Sequence, residues 1–141
     1  MRNIVISLII VLLSTCWSWA ANGDIDAATE YNETIGRHIW VYQPEGADWH
    51  MQDALVAYRN GQFTSSGNSV LNFGIGAKPV WLAFKVKNNG HKAVRRNLLL
   101  ETSWLDKVDI YFLRQSELID SYHAGDRLMF SQRPLDHRFF A

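Results

Sequence analysis

The chain has 141 residues, 48% of them hydrophobic, and its 14 Lys and Arg balance 14 Asp and Glu. That length sets one domain as the frame, and 13% aromatic content supplies enough apolar surface to offset ordering entropy, which excludes a disordered chain. Zero formal charge removes the long-range attraction on which general nucleic-acid binding depends, and a single Cys excludes a disulfide framework, a thiolate zinc cage and a CxxC redox pair.

Met1-Arg2-Asn3 opens the chain with positive charge, an apolar run follows from Ile4 to Leu13, and Ser18-Trp19-Ala20 places small residues at the two cleavage-determining positions. This is the layout of a secretory signal peptide, so residues 1–20 are expected to be cut away after Ala20. The apolar run falls well short of the roughly 20 residues that span a bilayer. A lipoprotein reading through Leu13-Ser14-Thr15-Cys16 fits less well, because Thr before Cys departs from small-residue chemistry. Cleavage would remove the only cysteine, and a cysteine-free exported chain suits a bacterial periplasm better than eukaryotic secretion. The triplet Asn32-Glu33-Thr34 matters only in the latter route.

Residues 21–38 read as a polar lead-in, and residues 39–141 as the domain proper. Ile39-Trp40-Val41-Tyr42 is a short β-rich run stopped by Gln43-Pro44-Glu45-Gly46. One helix is expected next: Asp48 offers a cap, Met51, Leu55 and Tyr58 recur at helical spacing, and Asn60-Gly61 closes it. Gln62 to Pro79 reads as loop. Val80, Leu82, Phe84 and Val86 then alternate with Trp81, Ala83, Lys85 and Lys87, the period of a strand with one buried face. Leu98-Leu99-Leu100 predicts a second strand and Trp104-Leu105-Asp106 a corner. Val108 to Leu113 gives a third, and Leu118 to His123 a shorter fourth, ended by Ala124-Gly125-Asp126. Strands at this spacing, with polar turns between, predict a mainly β chain folded as an antiparallel sandwich. The ending Arg138-Phe139-Phe140-Ala141 reads as a strand just beginning, so further strands are expected downstream.

The catalytic constellations are missing. His38, His50, His91, His123 and His137 show neither the i, i+4 spacing of a helical zinc pair nor an HExxH arrangement, so no metal site is expected. Gly74-Ile75-Gly76-Ala77-Lys78-Pro79 leads into a strand rather than a helix, so it offers no anion cradle and its glycines serve a turn. There is no GxSxG elbow. Asp106 with Asp109, or Asp120 with Asp126, could pair as glycosidase carboxylates, but strand-end Asp is ordinary turn chemistry. An enzyme is therefore the remote alternative, and no cofactor is implied.

Binding remains. Aromatic faces stacking on sugar rings, with Asp and Arg hydrogen bonds beside them, are a physical solution for carbohydrate recognition. Trp104, Asp106, Tyr122, Arg127 and Arg133 are the candidate ligand residues at or beyond the corners of the sheet. Trp81 and Tyr111 read instead as packing residues, and Arg133 competes for a role satisfying backbone carbonyls or carboxylates.

The stretch from Gly74 onward resembles the second type of extracellular domain of bacterial 7TMR-DISM receptors, seven-transmembrane receptors with diverse intracellular signalling modules. The resemblance rests on Gly74 and Gly76, on Val80-Trp81-Leu82-Ala83-Phe84-Lys85-Val86-Lys87-Asn88, and on Leu99-Leu100-Glu101. Leu105-Asp106-Lys107-Val108-Asp109-Ile110-Tyr111, Gly125-Asp126 and Phe130-Ser131-Gln132-Arg133-Pro134 complete it. It implies a jelly-roll-like β-sandwich similar to carbohydrate-binding modules, outside the inner membrane, incomplete here at its C-terminus. It also implies a longer parent with a membrane region and a cytoplasmic output such as a histidine kinase or a diguanylate cyclase. The expected partners are a small-molecule ligand, with carbohydrate the favoured class, the parent's membrane region, and a sister copy; nucleic acid is not among them. The alternative is a structural or interaction module with no small-molecule ligand. No ligand residue is carried over from the family.

Overall fold

The structure, a computed structural model, describes residues 23–30, 33–46, 48–76, 78–102 and 105–127. The signal-peptide reading, Trp104, Arg133 and the strand expected at Arg138 lie outside those residues.

Trp40-Val41-Tyr42 joins aromatic and β-branched side chains that suit a pleated surface, and it forms the centre of the largest sheet. This strand, β2 (Trp40–Tyr42), runs antiparallel to both β3 (Thr64–Ser65) and β4 (Trp81–Ala83). The register sets Trp40 opposite Ser65 and Tyr42 opposite Trp81. Between β2 and β3 lies the single α-helix among the described residues, α1 (Met51–Arg59). Asp48 is not its cap. The cap lies two residues later, at His50, whose backbone N–H donates to the Asp53 carboxylate at 2.9 Å. A carboxylate at the third helical position both satisfies that orphan donor and sits well in the helix dipole. Asn60 and Gly61 close α1 as expected, with Gly61 at φ +70°. The most deeply buried positions are Ala54 and Ala57, while Met51, Leu55 and Tyr58 are half-buried. Small side chains carry the closest approach, and the larger ones flank it.

The core gathers Ile25, Ile39, Ala54, Ala57 and Phe63, with Pro44 fully buried. Phe63 holds it together: its ring stacks on Tyr42 at 5.3 Å and meets Tyr58 edge-on at 5.4 Å. Trp49 leans on Tyr42 at 5.2 Å. At Gly36, a Cβ would run into the backbone of Asn68 and Ser69, so only glycine lets that loop cross the entry to β2.

The polar lead-in contributes a strand of its own. β1 (Ile25–Asp26) pairs in parallel with β5 (Val86–Lys87), and Lys87 forms an ion pair with Asp24. Asp26 accepts hydrogen bonds from Ala28 at 2.9 Å and Asn89 at 3.2 Å, which fastens the turn after β1 to the turn after β5. The single strand expected from Val80 to Lys87 is thus two. It leaves β2 after Ala83 and joins β1 at Val86, and pairing partners, not the alternation of residues, decide where it breaks. Neither face of this run is buried throughout: Leu82 and Val86 are exposed on one side and Lys85 and Lys87 on the other, while Val80, Trp81, Ala83 and Phe84 are half-buried and the Trp81 ring stacks on Tyr111 at 6.1 Å. At Leu98 to Leu100 the described structure contains one bridge, at Leu100, rather than a strand.

β6 (Val108–Arg114) and β7 (Glu117–Ala124) form an antiparallel hairpin, longer at β7 than the sequence suggested. Gln115 and Ser116 both take positive φ, 51° and 69°, the twist that a two-residue hairpin loop requires. The register slips by one between Phe112 and Leu113, leaving Ile119 as the extra residue of a bulge. The fold is therefore all-β with one short helix. Its sheets are antiparallel apart from β1 and β5, as in an open β-sandwich with no barrel closed by the described strands.

Candidate functional site

The hairpin has two faces, because residues directly opposite each other share a side of the ribbon. Val108, Ile110, Phe112, Tyr122 and Ala124 lie on one. Asp109, Tyr111, Ser121 and His123 lie on the other. On that second face, Asp109 sits opposite His123 and one step from the Tyr111 ring that meets Trp81.

Beyond the ladder the two arms stay together. The N–H groups of Asp126 and Arg127 donate to the carbonyls of Leu105 and Asp106 at 2.8 and 3.3 Å. Gly125 makes this possible: it adopts φ +130°, and a Cβ there would collide with the Asp106 carbonyl and the Lys107 Cα. The clamp sets Asp106 and Lys107 against Arg127. A cavity of about 230 Å³ opens there, lined by Asp106, Lys107, Asp109, His123, Ala124 and Arg127.

Three charge-assisted contacts organise it. Arg127 Nη2 donates to Asp106 Oδ2 at 2.9 Å, Lys107 Nζ to Asp109 Oδ2 at 2.9 Å, and His123 Nδ1 lies 2.7 Å from Asp109 Oδ1. Burial pushes the Asp109 carboxyl up, but the hydrogen bonds and charges of His123 and Lys107 outweigh it and hold the group below its ordinary value. The same pairing, led by the hydrogen bond to Asp109, raises Lys107. An ionised Asp109 only accepts hydrogen bonds, so the hydrogen at this contact sits on His123 Nδ1. In neutral His123 that leaves Nε2 as an acceptor aimed away from Asp109. Arg127 keeps further N–H donors and Asp106 a second oxygen. Donors and acceptors alternate around the cavity, a pattern that suits neighbouring hydroxyls on one small molecule.

Of the residues singled out in the sequence, Asp106 and Arg127 meet here. Tyr122 does not: it lies on the opposite face, edge-on to Phe112 at 5.8 Å, with the Asp120 carboxylate raising its phenol. Sequence reasoning missed Lys107 and His123 as site residues and weighed Asp109 only as a catalytic carboxylate. The spacing of 107 and 109 was readable, but nothing local places His123, whose position follows from cross-strand register. Trp81 and Tyr111 pack against each other, as expected of them. A second, broader hollow of about 500 Å³ flanks α1, with Trp49, Asn60 and Gln62 in its wall. Its Asp53 is committed to the helix start, and its lining holds no cation.

Lys107 and His123 hold Asp109 toward its ionised form, so it is not the protonated carboxyl of a glycosidase pair. Among the described residues no cluster of His, Cys, Asp and Glu is suited to a metal ion.

A family model described as 7TMR-DISM extracellular 2 matches residues 36–141. The chain belongs to that family. It is accordingly a sensor domain of a membrane receptor, exported to the periplasmic side and non-catalytic in itself. A search of curated proteins returns no match. The matched range spans the sheet around β2, the helix and the hairpin, so the 7TMR-DISM domain contains the whole charged cavity. No helix among the described residues is long and apolar enough to cross a membrane.

Proposed function

We propose that this 7TMR-DISM domain senses a small polyhydroxylated molecule, a carbohydrate unit, in the cavity between Asp106 and Arg127. One observation carries the reading: two carboxylates, a guanidinium, an ammonium and an imidazole converge on one small cavity, at the end of the hairpin face that also carries Tyr111. Size supports it. At about 230 Å³ the cavity falls below the ~300–1,000 Å³ of drug-sized pockets, which fits a single sugar ring better than a long glycan. In this reading residues 1–20 deliver the chain to the periplasm, residues 21–38 lead in, and the sensor domain occupies 39–141. A bacterial parent carries the inner-membrane region and the kinase or cyclase that reports occupancy.

Calorimetric titration of the chain with a panel of mono- and disaccharides tests this. We expect at least one ligand whose affinity falls about tenfold or more in Arg127→Ala and Asp106→Asn, as loss of a charge-assisted hydrogen bond implies. Retained affinity in those variants, with loss in Trp49→Ala, moves the site to the hollow beside α1 and ends this assignment. A second reading, pairing with a sister copy, has one observation in its favour: Phe112, Leu113, Leu118 and Ile119 are exposed on the outer half of the hairpin. Light scattering across a concentration series separates the two, since a monomer that binds sugar leaves the second reading without support.

A further inference from the structure

The balanced charge of the chain conceals a segregation. Between Ala54 and Leu100 lie seven of the 14 Lys and Arg and none of the 14 Asp and Glu. Within this acid-free third, the loop from Val70 to Gly76 turns three apolar side chains outward, with Leu71 half-buried. Ile75 is wholly exposed, Val70 is 65% exposed and Phe73 41%. The loop is a shaped tip and not a slack connection. Its entry crosses Gly36 through the backbone of Asn68 and Ser69. Its exit is held where Gln43 Nε2 donates to the Lys78 carbonyl at 3.4 Å. Gly74 and Gly76 turn at φ +77° and +72°, and the Gly74 N–H donates to Asn72 Oδ1 at 2.9 Å. Both feet are therefore fastened near the two ends of β2, and the apolar residues stand at the crest between them.

An apolar crest with an exposed lysine at its foot, in a domain of a membrane receptor, matches the anionic phospholipid surface. Aromatic and branched side chains enter the headgroup boundary, and basic groups answer the negative surface potential. Lys78, at the foot of the crest, has no ion pair among the described residues and is exposed. Neither Glu45 nor Asp48, on the segment that follows Gln43, forms an ion pair with it among the described residues. We propose that the Val70–Gly76 loop docks this sensor domain on an anionic phospholipid bilayer, with Phe73 and Ile75 inserted and Lys78 at the headgroups. The docking extends the receptor reading and does not depend on the sugar cavity.

The test places an environment-sensitive fluorophore at Val70→Cys in the mature chain that begins at Ala21, which holds no other cysteine and lacks the apolar Ile4–Leu13 run, so that the signal comes from the loop. Vesicles of one part phosphatidylglycerol to two parts phosphatidylcholine should shift its emission to the blue, and added salt should weaken the effect. Ile75→Asp should reduce binding by roughly tenfold or more, the cost of replacing a buried branched side chain. Lys78→Glu should reduce it less and blunt the salt response. No shift on the anionic vesicles overturns the proposal. An equal shift on pure phosphatidylcholine, or an unchanged one in Ile75→Asp, overturns it as well. Arg127→Ala serves as the control: it should weaken sugar binding about tenfold or more and leave the vesicle signal intact, so failure of either idea is separately visible.

Discussion

The sheet around β2 and the β6–β7 hairpin are built on opposite principles. The first is short in hydrogen bonds and rich in packing: strands of two or three residues are held by Phe63, its flanking tyrosines, and the buried alanines of α1. The second is rich in ladder pairing and poor in burial. Phe112, Leu113, Leu118, Ile119 and Tyr122 are all exposed on it. A lone two-stranded ribbon is marginal in water, so the hairpin draws its order from the Trp81–Tyr111 stack and from the clamp at Gly125. The candidate ligand cavity sits at that clamp, at the root of the weakly buried element. The division teaches where to look for function: the packed sheet fixes the scaffold, and the ribbon presents charged groups that are free to respond.

Three measurements would sharpen or break this contrast. Phe63→Ala should cost about 3–5 kcal/mol, the range for truncating a buried aromatic, whereas Phe112→Ala should cost about 1 kcal/mol or less. Denaturant unfolding reads both, and equal costs would erase the distinction. Gly125→Ala should cost about 2–4 kcal/mol, combining backbone strain at positive φ with a collision against Asp106. It should also abolish sugar binding, because the same carbonyl anchors Arg127.

The smallest expected effect is the pH response of the Lys107–Asp109–His123 group. Asp109 is held below its ordinary 3.8, so the stability it supplies is complete above that pH and is lost as pH falls through its lowered value. Lys107 is held above its ordinary 10.5, so its contribution is complete below that pH and is lost as pH rises beyond it. Asp109→Asn should therefore flatten both limbs of a stability-against-pH curve. Unaltered limbs would show that the cluster does not couple to folding.

Some of this was legible early. The β character of residues 40–42 and 108–123 follows from aromatic and β-branched runs, and the helix between Met51 and Arg59 from its spacing and its Asn60-Gly61 stop. The turn role of Gly74 and Gly76 was likewise readable, since glycine tolerates the positive φ both adopt. The family likeness stood on short motifs in a fixed order from Gly74 onward, and the family match covers that stretch together with β2 and α1 before it, residues 36–141. Where local signals competed, the reading slipped. Asp48 is as good a cap residue as the chain offers, yet the reach of Asp53 moved the helix start to His50.

What the sequence by itself determined is composition and period: a mainly β chain with one helix, a charge balance unsuited to nucleic acid, and acidic and basic residues near the Gly125 turn. Each depends on side chains a few positions apart, and local sterics decide such matters. Only the tertiary structure decided that the 80–87 run divides between two sheets, that Trp81 faces Tyr111, and that His123 stands opposite Asp109. Those outcomes hang on which strands pair and in what register. A shift of one residue turns every side chain to the other face, and the choice is made by contacts between residues far apart in the chain.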